Sequence, residues 1–494
     1  MISLVHHKGI AITGNYDGLS IIEAIYKCAH ENPDNYLLVY EKTVDVDAFK
    51  AVLPEINHRA YFFSNYNNSH PDIGYVEDSP FLNINKKVTY PTWLKGTAIV
   101  CMHANLINES VLSHSNQKNY LYWLNSLGKL SQTRGVLNYQ IPTTIQNEEL
   151  ETYELYKFVK QHYRTRWVFI LLLCHLWYEQ RFPVISLMRI IFIKKSLLKI
   201  DIHELQTFKK VQTESNFEYD VVIPTMGRAG YLKDVLLDLN RQKILPNKVI
   251  VIEQNAGGHA TSNLGFVKDE QWNFEIVHEF THITGACRAR NRAIALSSAN
   301  WILLFDDDVR IKNDFSTRIL DFINDSKAKC VTFSCLQKGE IEKQSNYLQW
   351  PAFGSGCSFV HREVAESCEF DMALEHGYGE DVDYGMQIRN AGYDVIFAPQ
   401  IQLLHLKAPV GGFRKPYVFP WQEDAVLPKP SPQIMYHRTK NYTPKQLIGY
   451  KVTLFIKFYK DYSIKNPIAY YKYFKKAWSK SLYWSQKLAQ DATV

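Results

Sequence analysis

The chain has 494 residues, of which 46% are hydrophobic, 14% aromatic and 21% charged. This length allows two or three domains with separate cores. The high aromatic content, with only 23 glycines and 19 prolines, excludes collagen-like, low-complexity and disordered proteins. The eight cysteines contain no C-x-x-C pair, which argues against a zinc ribbon or a thioredoxin-like centre and indicates buried, reduced thiols.

The net charge of +6 is unevenly distributed. Residues 157–199 contain nine Lys or Arg against Glu179 alone, and residues 443–494 contain ten Lys against two Asp. Both segments are rich in aromatic residues, a combination typical of segments that lie at a membrane surface. We therefore expect a cytoplasmic protein, peripheral on the inner face of the cell membrane. The alternative is that both segments are helices packed on the protein with solvated lysines.

Neither a signal peptide nor a membrane span is expected. The first residues lack an uninterrupted apolar stretch of signal-peptide length, so secretion is not predicted. The longest uncharged run in the first basic segment, 167–178, has twelve residues, whereas a spanning helix needs about 20.

Residues 1–150 alternate between helical and strand patterns. Apolar residues at Ile21, Ile22, Ile25 and Ala29 predict one face of a helix, and the sequences YLLVYEK and TAIVCMH predict strands. The segment is therefore expected to form an α/β domain. Residues 151–215 are expected to form a basic amphipathic helical linker.

Residues 216–416 are predicted to form a second α/β domain. Its predicted elements are, in order, the strand YDVVIPT, the helix YLKDVLLDLNRQ, the strands KVIVIEQN and FEIVHEF, a helix around RARNRAIALSSA and the strand WILLF. This alternation predicts a mostly parallel sheet with helices on both faces and ligands at the carboxyl ends of its strands. Residues 417–494 are expected to form a basic, aromatic C-terminal extension.

Three adjacent carboxylates, Asp306, Asp307 and Asp308, follow the predicted strand WILLF. Because these charges repel one another, a bound cation such as Mg²⁺ or Mn²⁺ is the simplest reason to place them at a strand end. The alternative is a solvated acidic loop.

A predicted helix opens after Gly285 with Arg288, Arg290, Asn291 and Arg292. Free N–H groups and guanidinium groups at a helix start are suited to binding a diphosphate. The alternative is a solvated basic face.

Glu380, Asp381 and Asp383 follow a Gly-Tyr-Gly turn at the start of another predicted helix. A carboxylate there can act as a general base on a hydroxyl, although acidic residues also occur in first helical turns simply as caps. His405 lies among apolar residues, where it is either a core histidine or a metal ligand.

Taken together, the segments IPTMGR, VIVIEQN, GACRARN, FDDDV, GSGCSFVHREV and GYGEDVDYGMQIRNAGYDVIFAP, in this order, resemble the nucleotide-sugar-dependent family 2 glycosyltransferases of GT-A fold. The resemblance covers about residues 218–410. The amino-terminal domain is faintly similar to the same fold but lacks the acidic motifs, and it is interpreted as a degenerate, non-catalytic copy; the alternative is an unrelated α/β domain.

The resemblance implies a role for each matching residue. Donor-binding residues would be Pro224, Thr225, Arg228, Glu253, Arg290, Asn291, Asp306 and Asp307; metal ligands for Mn²⁺ or Mg²⁺ would be Asp308, Asp306 and His405; the acceptor-side loop would be Gly354, Ser355 and Gly356; and Asp381, with Glu380, would be catalytic. Two departures are Glu253, where the family usually has Asp, and Gly-Ser-Gly in place of adjacent glycines.

The function implied is inverting transfer of a sugar from a nucleoside-diphosphate sugar to a hydroxyl of a glycan or lipid-linked acceptor, in bacterial surface polysaccharide synthesis. No nucleic-acid partner is expected. One alternative is a catalytically inactive, membrane-associated glycan-binding or scaffold protein. Another is a nucleotidyltransferase, for which TMGRAG provides only a thin version of the expected Gly-rich loop.

Overall fold

A computed structural model describes the chain except for residues 55, 57, 66–70, 109–110, 113–118, 143–149, 196–197, 200–204, 207–216, 410–416, 462 and 492–494. The chain divides into two compact units, Met1–Lys209 with Asn441–Tyr470 and Lys210–Lys440 with Tyr471–Val494. The described helices of the expected linker belong to the first unit, and the expected C-terminal extension is shared between the units.

The strands of the described residues are, in chain order, β1 (Ile2–His7), β2 (Ile10–Ala11), β3 (Tyr36–Glu41), β4 (Tyr61–Asn65), β5 (Tyr90–Pro91), β6 (Ile99–His103), β7 (Val111–Leu112), β8 (Leu137–Ile141), β9 (Leu198–Lys199), β10 (Tyr219–Thr225), β11 (Lys248–Gln254), β12 (Glu275–Thr281), β13 (Trp301–Phe305), β14 (Val309–Arg310), β15 (Cys330–Leu336), β16 (Leu348–Gln349), β17 (Cys357–His361) and β18 (Ile396–His405).

The helices are α1 (Ile21–Glu31), α2 (Val46–Val52), α3 (Ala104–Asn108), α4 (Tyr120–Gln132), α5 (Thr152–His162), α6 (Arg166–Tyr178), α7 (Val184–Ile190), α8 (Ala229–Asn240), α9 (Phe266–Asp269), α10 (Ala286–Leu296), α11 (Phe315–Ser326), α12 (Arg362–Glu366), α13 (Glu380–Asn390), α14 (Pro432–Asn441), α15 (Pro444–Asp461) and α16 (Pro467–Asp491).

The first unit is the α/β domain expected from the sequence. Its main sheet has the order β2-β1-β3-β6-β4-β8-β5. Helix α1 begins with a capping box between Ser20 and Glu23, and the predicted apolar face of this helix is buried in the core. Strand β6 runs antiparallel to both β3 and β4, whereas the pairs β1–β3 and β4–β8 are parallel.

The sheet of the second unit has the order β12-β11-β10-β13-β17-β15-β18-β14, with β16 paired to β18. Strands β12, β11, β10 and β13 are parallel, as predicted. Strand β17 differs, because it runs antiparallel to β13 and β15. The chain between β15 and β17 contains no crossover helix, so it re-enters the sheet at the edge where β15 ended and must reverse direction.

The two sheets share a strand order. The first unit contains the series β1-β3-β6-β4-β8, with β5 paired to β8, and the second contains the series β10-β13-β17-β15-β18, with β16 paired to β18. Each pair of neighbouring strands in the first series is parallel or antiparallel in the same way as the corresponding pair in the second. The stretch from Tyr90 to His103 in the first unit equals that from Leu348 to His361 in length, and each stretch begins and ends with the matching strands. In the described part of the first unit, no strand matches β11 or β12.

No helix among the described residues has both the length and the apolar character needed to cross a membrane. The eight cysteines are all free; six are buried, and Cys335 and Cys368 are half-buried.

Candidate active site

The three adjacent carboxylates lie at the carboxyl end of β13, beside the end of β10. All five residues of β13 are buried, and the parallel register pairs Val222 with Leu304, which brings Thr225 beside Asp307. The Thr225 hydroxyl donates to Asp307 Oδ2 at 2.6 Å, and the Arg228 guanidinium donates to Asp307 Oδ1 at 2.8 Å. Asp307 therefore links the first strand of the unit to the acidic turn.

Asp306, Asp308 and His405 form a candidate metal centre. The pairing of β14 with β18 places Val309 opposite His405, so that the His405 imidazole comes within 3.3 Å of Asp308 Oδ1. One possible ligand atom from each of the three side chains lies within 4.8 Å of the others. Carboxylate oxygens and an imidazole nitrogen suit Mn²⁺, and Mg²⁺ favours the oxygens, so these residues fit a divalent cation.

The Asp308 carboxylate is held in its charged form. Burial acts to raise its pKa, but hydrogen bonds from His405 and from the Ala408 N–H, together with the charge of Arg228, outweigh burial and lower it. The same contact with Asp308 and a further one with Cys335 raise the pKa of His405 to about 10. Metal binding at this centre would therefore release a proton from His405.

The loop of Gly354, Ser355 and Gly356, which is expected to be on the acceptor side, is shaped by its proximity to Asp306. The antiparallel pairing of β13 with β17 places Gly356 beside Asp306, whose N–H donates to the Gly356 carbonyl at 3.2 Å. A Cβ at Gly356 would lie 2.1 Å from the Asp306 carboxylate, so only glycine fits here. Gly354 is similarly crowded by Cys357, and between the two glycines the buried Ser355 faces Asp381.

Arg290 and Asp381 carry buried polar atoms that remain to be satisfied. Arg290 lies on α10 with its Nη2 3.5 Å from Asp306 Oδ1, but its Nε and Nη1 make no hydrogen bond to any described residue. Asp381 Oδ1, at the start of α13, likewise has no partner among the described residues. Because buried polar groups are almost always hydrogen-bonded, these atoms indicate a place for a ligand.

Glu380 and Asp381 share this buried position. Burial, reinforced by the neighbouring Asp381 charge, raises the pKa of Glu380 to about 7. Burial also raises the pKa of Asp381, although Arg290 and Ser355 counteract it. Gly379 caps the start of the helix, and its φ of +118° favours glycine.

Asp383 has a different environment from Asp381. It is fully buried, and its carboxylate accepts hydrogen bonds from Lys440 at 2.9 Å and from Gln387 at 2.8 Å. These contacts give Asp383 a structural role.

Two of the expected donor-binding residues use their polar atoms inside the protein. The Glu253 carboxylate, at the end of β11, accepts from Ser262 at 2.6 Å, from the Asn263 N–H at 3.0 Å and contacts His278 at 2.9 Å. The Asn291 amide exchanges two hydrogen bonds with the Phe370 backbone. Pro224 lies within β10, next to Thr225. Donor contacts by these three residues remain predictions.

Glu375 was missed by sequence reasoning. Its carboxylate accepts from the N–H groups of Cys287 at 3.0 Å and Arg288 at 2.9 Å, at the start of α10. Glu375 thus occupies the N–H groups that were expected to bind a diphosphate, and diphosphate binding at this helix start stays a prediction. Arg292 is paired with Glu279 rather than directed to the carboxylates. No local signal marks Glu375, since its partners lie far away in the sequence.

A cavity of about 490 Å³ opens beside Gly354. Trp350, Phe353 and Phe397 contribute aromatic walls, and Glu342 and Lys343 contribute charged groups to its lining. The Trp350 and Phe397 rings stack on each other at 4.4 Å. The cavity thus offers both apolar and polar surface next to the acceptor-side loop.

Part of the second unit matches a known protein family. Residues 220–368 match the family model described as glycosyl transferase family 2. The matched residues lie within the second unit and include the three adjacent carboxylates at the end of β13.

Solved structures also resemble the chain. S. aureus TarS 1-349 in complex with UDP-GlcNAc is 14% identical over 49% of this chain and 73% of that chain, with a TM-score of 0.35. The mannosyltransferase PcManGT from Pyrobaculum calidifontis, in complex with GDP-Man and Mn²⁺, is 15% identical over 58% of this chain and 79% of that chain, with a TM-score of 0.32. No curated protein matches the chain at a significant level of sequence similarity.

Proposed function

We propose that the chain is an inverting glycosyltransferase, which moves a sugar from a nucleoside-diphosphate sugar to a hydroxyl group of a glycan or lipid-linked acceptor. The observation that carries this proposal is the pairing of two buried, unsatisfied groups, the Arg290 guanidinium and Asp381 Oδ1, in the domain that holds the Asp306, Asp308 and His405 cluster. The first group suits an anion and the second suits a proton donor.

The donor diphosphate is expected to lie against Arg290. Its free Nε and Nη1 donors can form charge-assisted hydrogen bonds to phosphate oxygens. Asp306, Asp308 and His405 would hold Mn²⁺ or Mg²⁺, which when bound supplies positive charge that stabilises the leaving diphosphate. Thr225 and Arg228, fixed through Asp307, would border the nucleoside.

Asp381 is assigned the role of general base. As the acceptor oxygen attacks the anomeric carbon, its proton passes to Asp381 Oδ1, while the bond from the anomeric carbon to the diphosphate oxygen breaks and its electron pair leaves with the diphosphate. A single displacement inverts the configuration at that carbon. The raised pKa of Asp381 makes this carboxylate a stronger proton acceptor than an exposed aspartate.

The acceptor is assigned to the side of Gly354, Ser355 and Gly356. The adjoining cavity, with its aromatic walls, supports a glycan or lipid-linked acceptor, because sugar rings and prenyl chains both bury apolar surface. We further propose that the product belongs to a bacterial surface polysaccharide, and that the protein works as a peripheral protein on the inner face of the cell membrane.

The first unit is proposed to be a degenerate, non-catalytic copy of the second. The shared strand order supports this relation. In the first unit, β3 takes the position of β13, and Glu41 at its end accepts hydrogen bonds from His7 and from the Lys8 N–H, both at 2.8 Å. A carboxylate committed to these partners is poorly suited to a metal.

The proposal is tested by incubating the purified full chain with UDP- and GDP-sugars, with Mn²⁺, Mg²⁺ or EDTA. We expect metal-dependent release of a nucleoside diphosphate, and loss of that release in Arg290→Ala but not in Arg292→Ala, an exposed arginine of the same helix. Release of pyrophosphate would instead indicate a nucleotidyltransferase, and no release from any donor would favour an inactive glycan-binding or scaffold protein. With a transferred product, its anomeric configuration by NMR decides between inversion and retention.

A further inference from the structure

Helices α6 and α7, with the residues that follow each of them, expose a large apolar surface, referred to below as the 169–192 surface. Its most exposed large side chains have exposed fractions from 56% for Trp177 to 90% for Phe192. They are Phe169, Trp177, Phe182, Ile185, Met188, Ile191 and Phe192. Exposed apolar residues are ordinary one at a time, but a run of this size marks an interaction site.

The sequence explains why this surface cannot be buried within the unit. Helix α6, RWVFILLLCHLWY, is apolar on all sides. One face, with Val168, Leu171 and Cys174, packs in a core of the first unit, and the opposite face is left outside. A helix that is apolar all round requires a second apolar environment.

The charges around this surface define what it can contact. Arg164, Arg166, Arg189, Lys194 and Lys195 are all exposed. The only acidic residue of 157–199 is Glu179, which is paired with Arg181 and Lys445. Within the described part of the chain, these five side chains form no ion pair, so the 169–192 surface is bordered by positive charge that complements an anionic partner.

The basic C-terminal segment has a different character. In α16, Ala477 and Trp478 are buried, and Trp484 donates to Asp424 at 2.7 Å. Lys480 is also paired with Asp424, at 3.0 Å. Trp478 and Trp484 thus take part in packing within the second unit. The sequence predicted the same membrane-surface role for this segment and for residues 157–199, but the packing of the two segments differs.

We propose that the 169–192 surface docks on a bilayer containing anionic phospholipids, with α6 and α7 lying in the plane of the interface. Helix α6 has 13 residues, or about 20 Å, which is shorter than the roughly 30 Å hydrocarbon core, so it lies on the membrane. Its apolar residues enter the acyl boundary and the surrounding Arg and Lys contact the headgroups. The inference deepens the peripheral location proposed above and does not depend on catalysis.

The test is flotation of the full chain with vesicles of phosphatidylcholine alone or with 30% phosphatidylglycerol, about the content of an anionic membrane. We expect binding only to the anionic vesicles, weakened at high salt because the charges are exposed. The double variant Ile185→Ser/Met188→Ser should bind about tenfold or more weakly, since it removes apolar area from the interface. Lys194→Gln/Lys195→Gln should weaken binding at low salt and reduce its salt dependence.

The matched control is Val418→Ser/Ile468→Ser, whose side chains are as exposed (73% and 69%) as Ile185 and Met188 (75% and 65%) but lie outside the surface. The control should bind like the parent. If the control loses vesicle binding and the Ile185 and Met188 variant does not, the proposal is wrong, because other segments of the chain would then contact the membrane. Quenching of tryptophan fluorescence by brominated lipid should fall in Trp177→Phe, and unchanged quenching would contradict insertion at α6.

The same variants also test whether the surface binds a second copy of the chain and whether docking is independent of donor hydrolysis. If the parent is a dimer by light scattering and the Ile185 and Met188 variant is a monomer, the surface binds a second copy of the chain and the proposal is wrong. Donor hydrolysis without vesicles should be the same in parent and variants. Vesicle binding without any donor hydrolysis would contradict the proposed enzyme activity but support the docking surface. Donor hydrolysis without vesicle binding would support the enzyme activity but contradict the docking surface.

Discussion

Asp307 and Asp308 are neighbours in the sequence, but their pKa values move in opposite directions. Burial raises the pKa of Asp307 to about 6 in spite of its bonds to Thr225 and Arg228. The pKa of Asp308 is lowered, because His405 and the Ala408 N–H outweigh burial. Of the two carboxylates, Asp308 is therefore the one whose surroundings favour the charged form, which is the form that binds a metal.

Asp308→Ala should abolish metal-dependent donor binding, because it removes a charged ligand from the cluster with Asp306 and His405. Calorimetry of donor binding with Mn²⁺ and with EDTA measures the effect. Asp321→Ala, the same change at an exposed position of α11, is the control and should bind like the parent. Donor affinity that is equal in parent and Asp308→Ala would show that the metal lies elsewhere.

Asp381→Asn should lower the transfer rate by about 10² to 10⁴, the usual contribution of a positioned base, while donor affinity stays nearly unchanged. Asp383→Asn is the informative comparison. Because Asp383 is buried against Lys440, its substitution should lower the melting temperature while the rate per folded molecule changes little. The reverse pattern would place the base on Asp383.

Stability should depend on pH through Glu380. Its pKa is raised from 4.5 to about 7 by burial and by Asp381, so protonation favours the folded state. That contribution is fully present below pH 4.5 and is lost as pH rises through 7. Glu380→Gln should therefore raise the free energy of unfolding at pH 8 by on the order of 1 kcal/mol and much less at pH 5. Urea unfolding at both pH values measures this, with exposed Glu366→Gln as control; equal effects at the two pH values would contradict it.

At the scale of elements, the start of α10 is held by a residue from a distant segment. Gly285 precedes the helix with a φ of +148°, and a Cβ there would lie 2.3 Å from the Glu375 carboxylate. Glu375 belongs to the segment that leads into α13. The helix that carries Arg290 and the helix that begins with Glu380 and Asp381 are thus joined at their starts.

Glu375→Ala should destabilise the protein by about 1 kcal/mol, as the loss of a helix cap does, and raise the KM for the donor more than it lowers kcat. The KM effect follows because Arg290 lies on the helix that loses its cap. Thermal unfolding and initial rates provide the two measurements. Glu366→Ala, an exposed glutamate of α12, should change neither, and a Glu375→Ala variant with the parent's KM would show that the two helix starts act independently.

The elements of the second unit were largely predictable from local pattern. The apolar spacing of Leu232, Val235, Leu236 and Leu239 identified the buried face of α8, and the uniform apolar run 301–305 identified a central strand. The position of the three carboxylates after that strand followed directly. These features depend only on residues close together in the chain.

Features that depend on distant contacts were not predictable. The bond between Thr225 and Asp307 requires the register of two strands, and the contact between Glu375 and Cys287 joins segments 88 residues apart. The direction of β17 was missed because nothing local indicates that the chain re-enters the sheet without a crossover helix. The exposure of Phe192 could not be predicted either, because composition does not indicate which side of an apolar segment packs against the protein.

At the scale of the whole molecule, the two units share one strand order but differ in the strands and polar side chains added to it. Glu253 lies at the end of β11 and His278 on β12, the two strands that the first unit lacks among its described residues. The first unit also has Glu41 where the second has its run of three aspartates. Among the described residues, the groups that the proposed function assigns to the donor therefore lie in the second unit.

The full chain should therefore bind one donor molecule. Titration calorimetry with Mn²⁺ is expected to give a stoichiometry of one, and Asp308→Ala should remove the whole signal. A second site that survives in Asp308→Ala would mean that the first unit also binds nucleotide sugars.

Strands β11 and β12 form one edge of their sheet, where β12 pairs with β11 alone and β11 joins the remainder through β10. An edge of this kind can be added or removed without breaking any pairing deeper in the sheet. The repeated order supports the proposed relation between the units, in which the second unit carries an edge that the described part of the first unit does not show. Under the proposed function, residues 226–300 supply donor-binding groups such as Arg228 and Arg290. Grafting these residues between β1 and β3 of the first unit is the engineering experiment that the arrangement suggests.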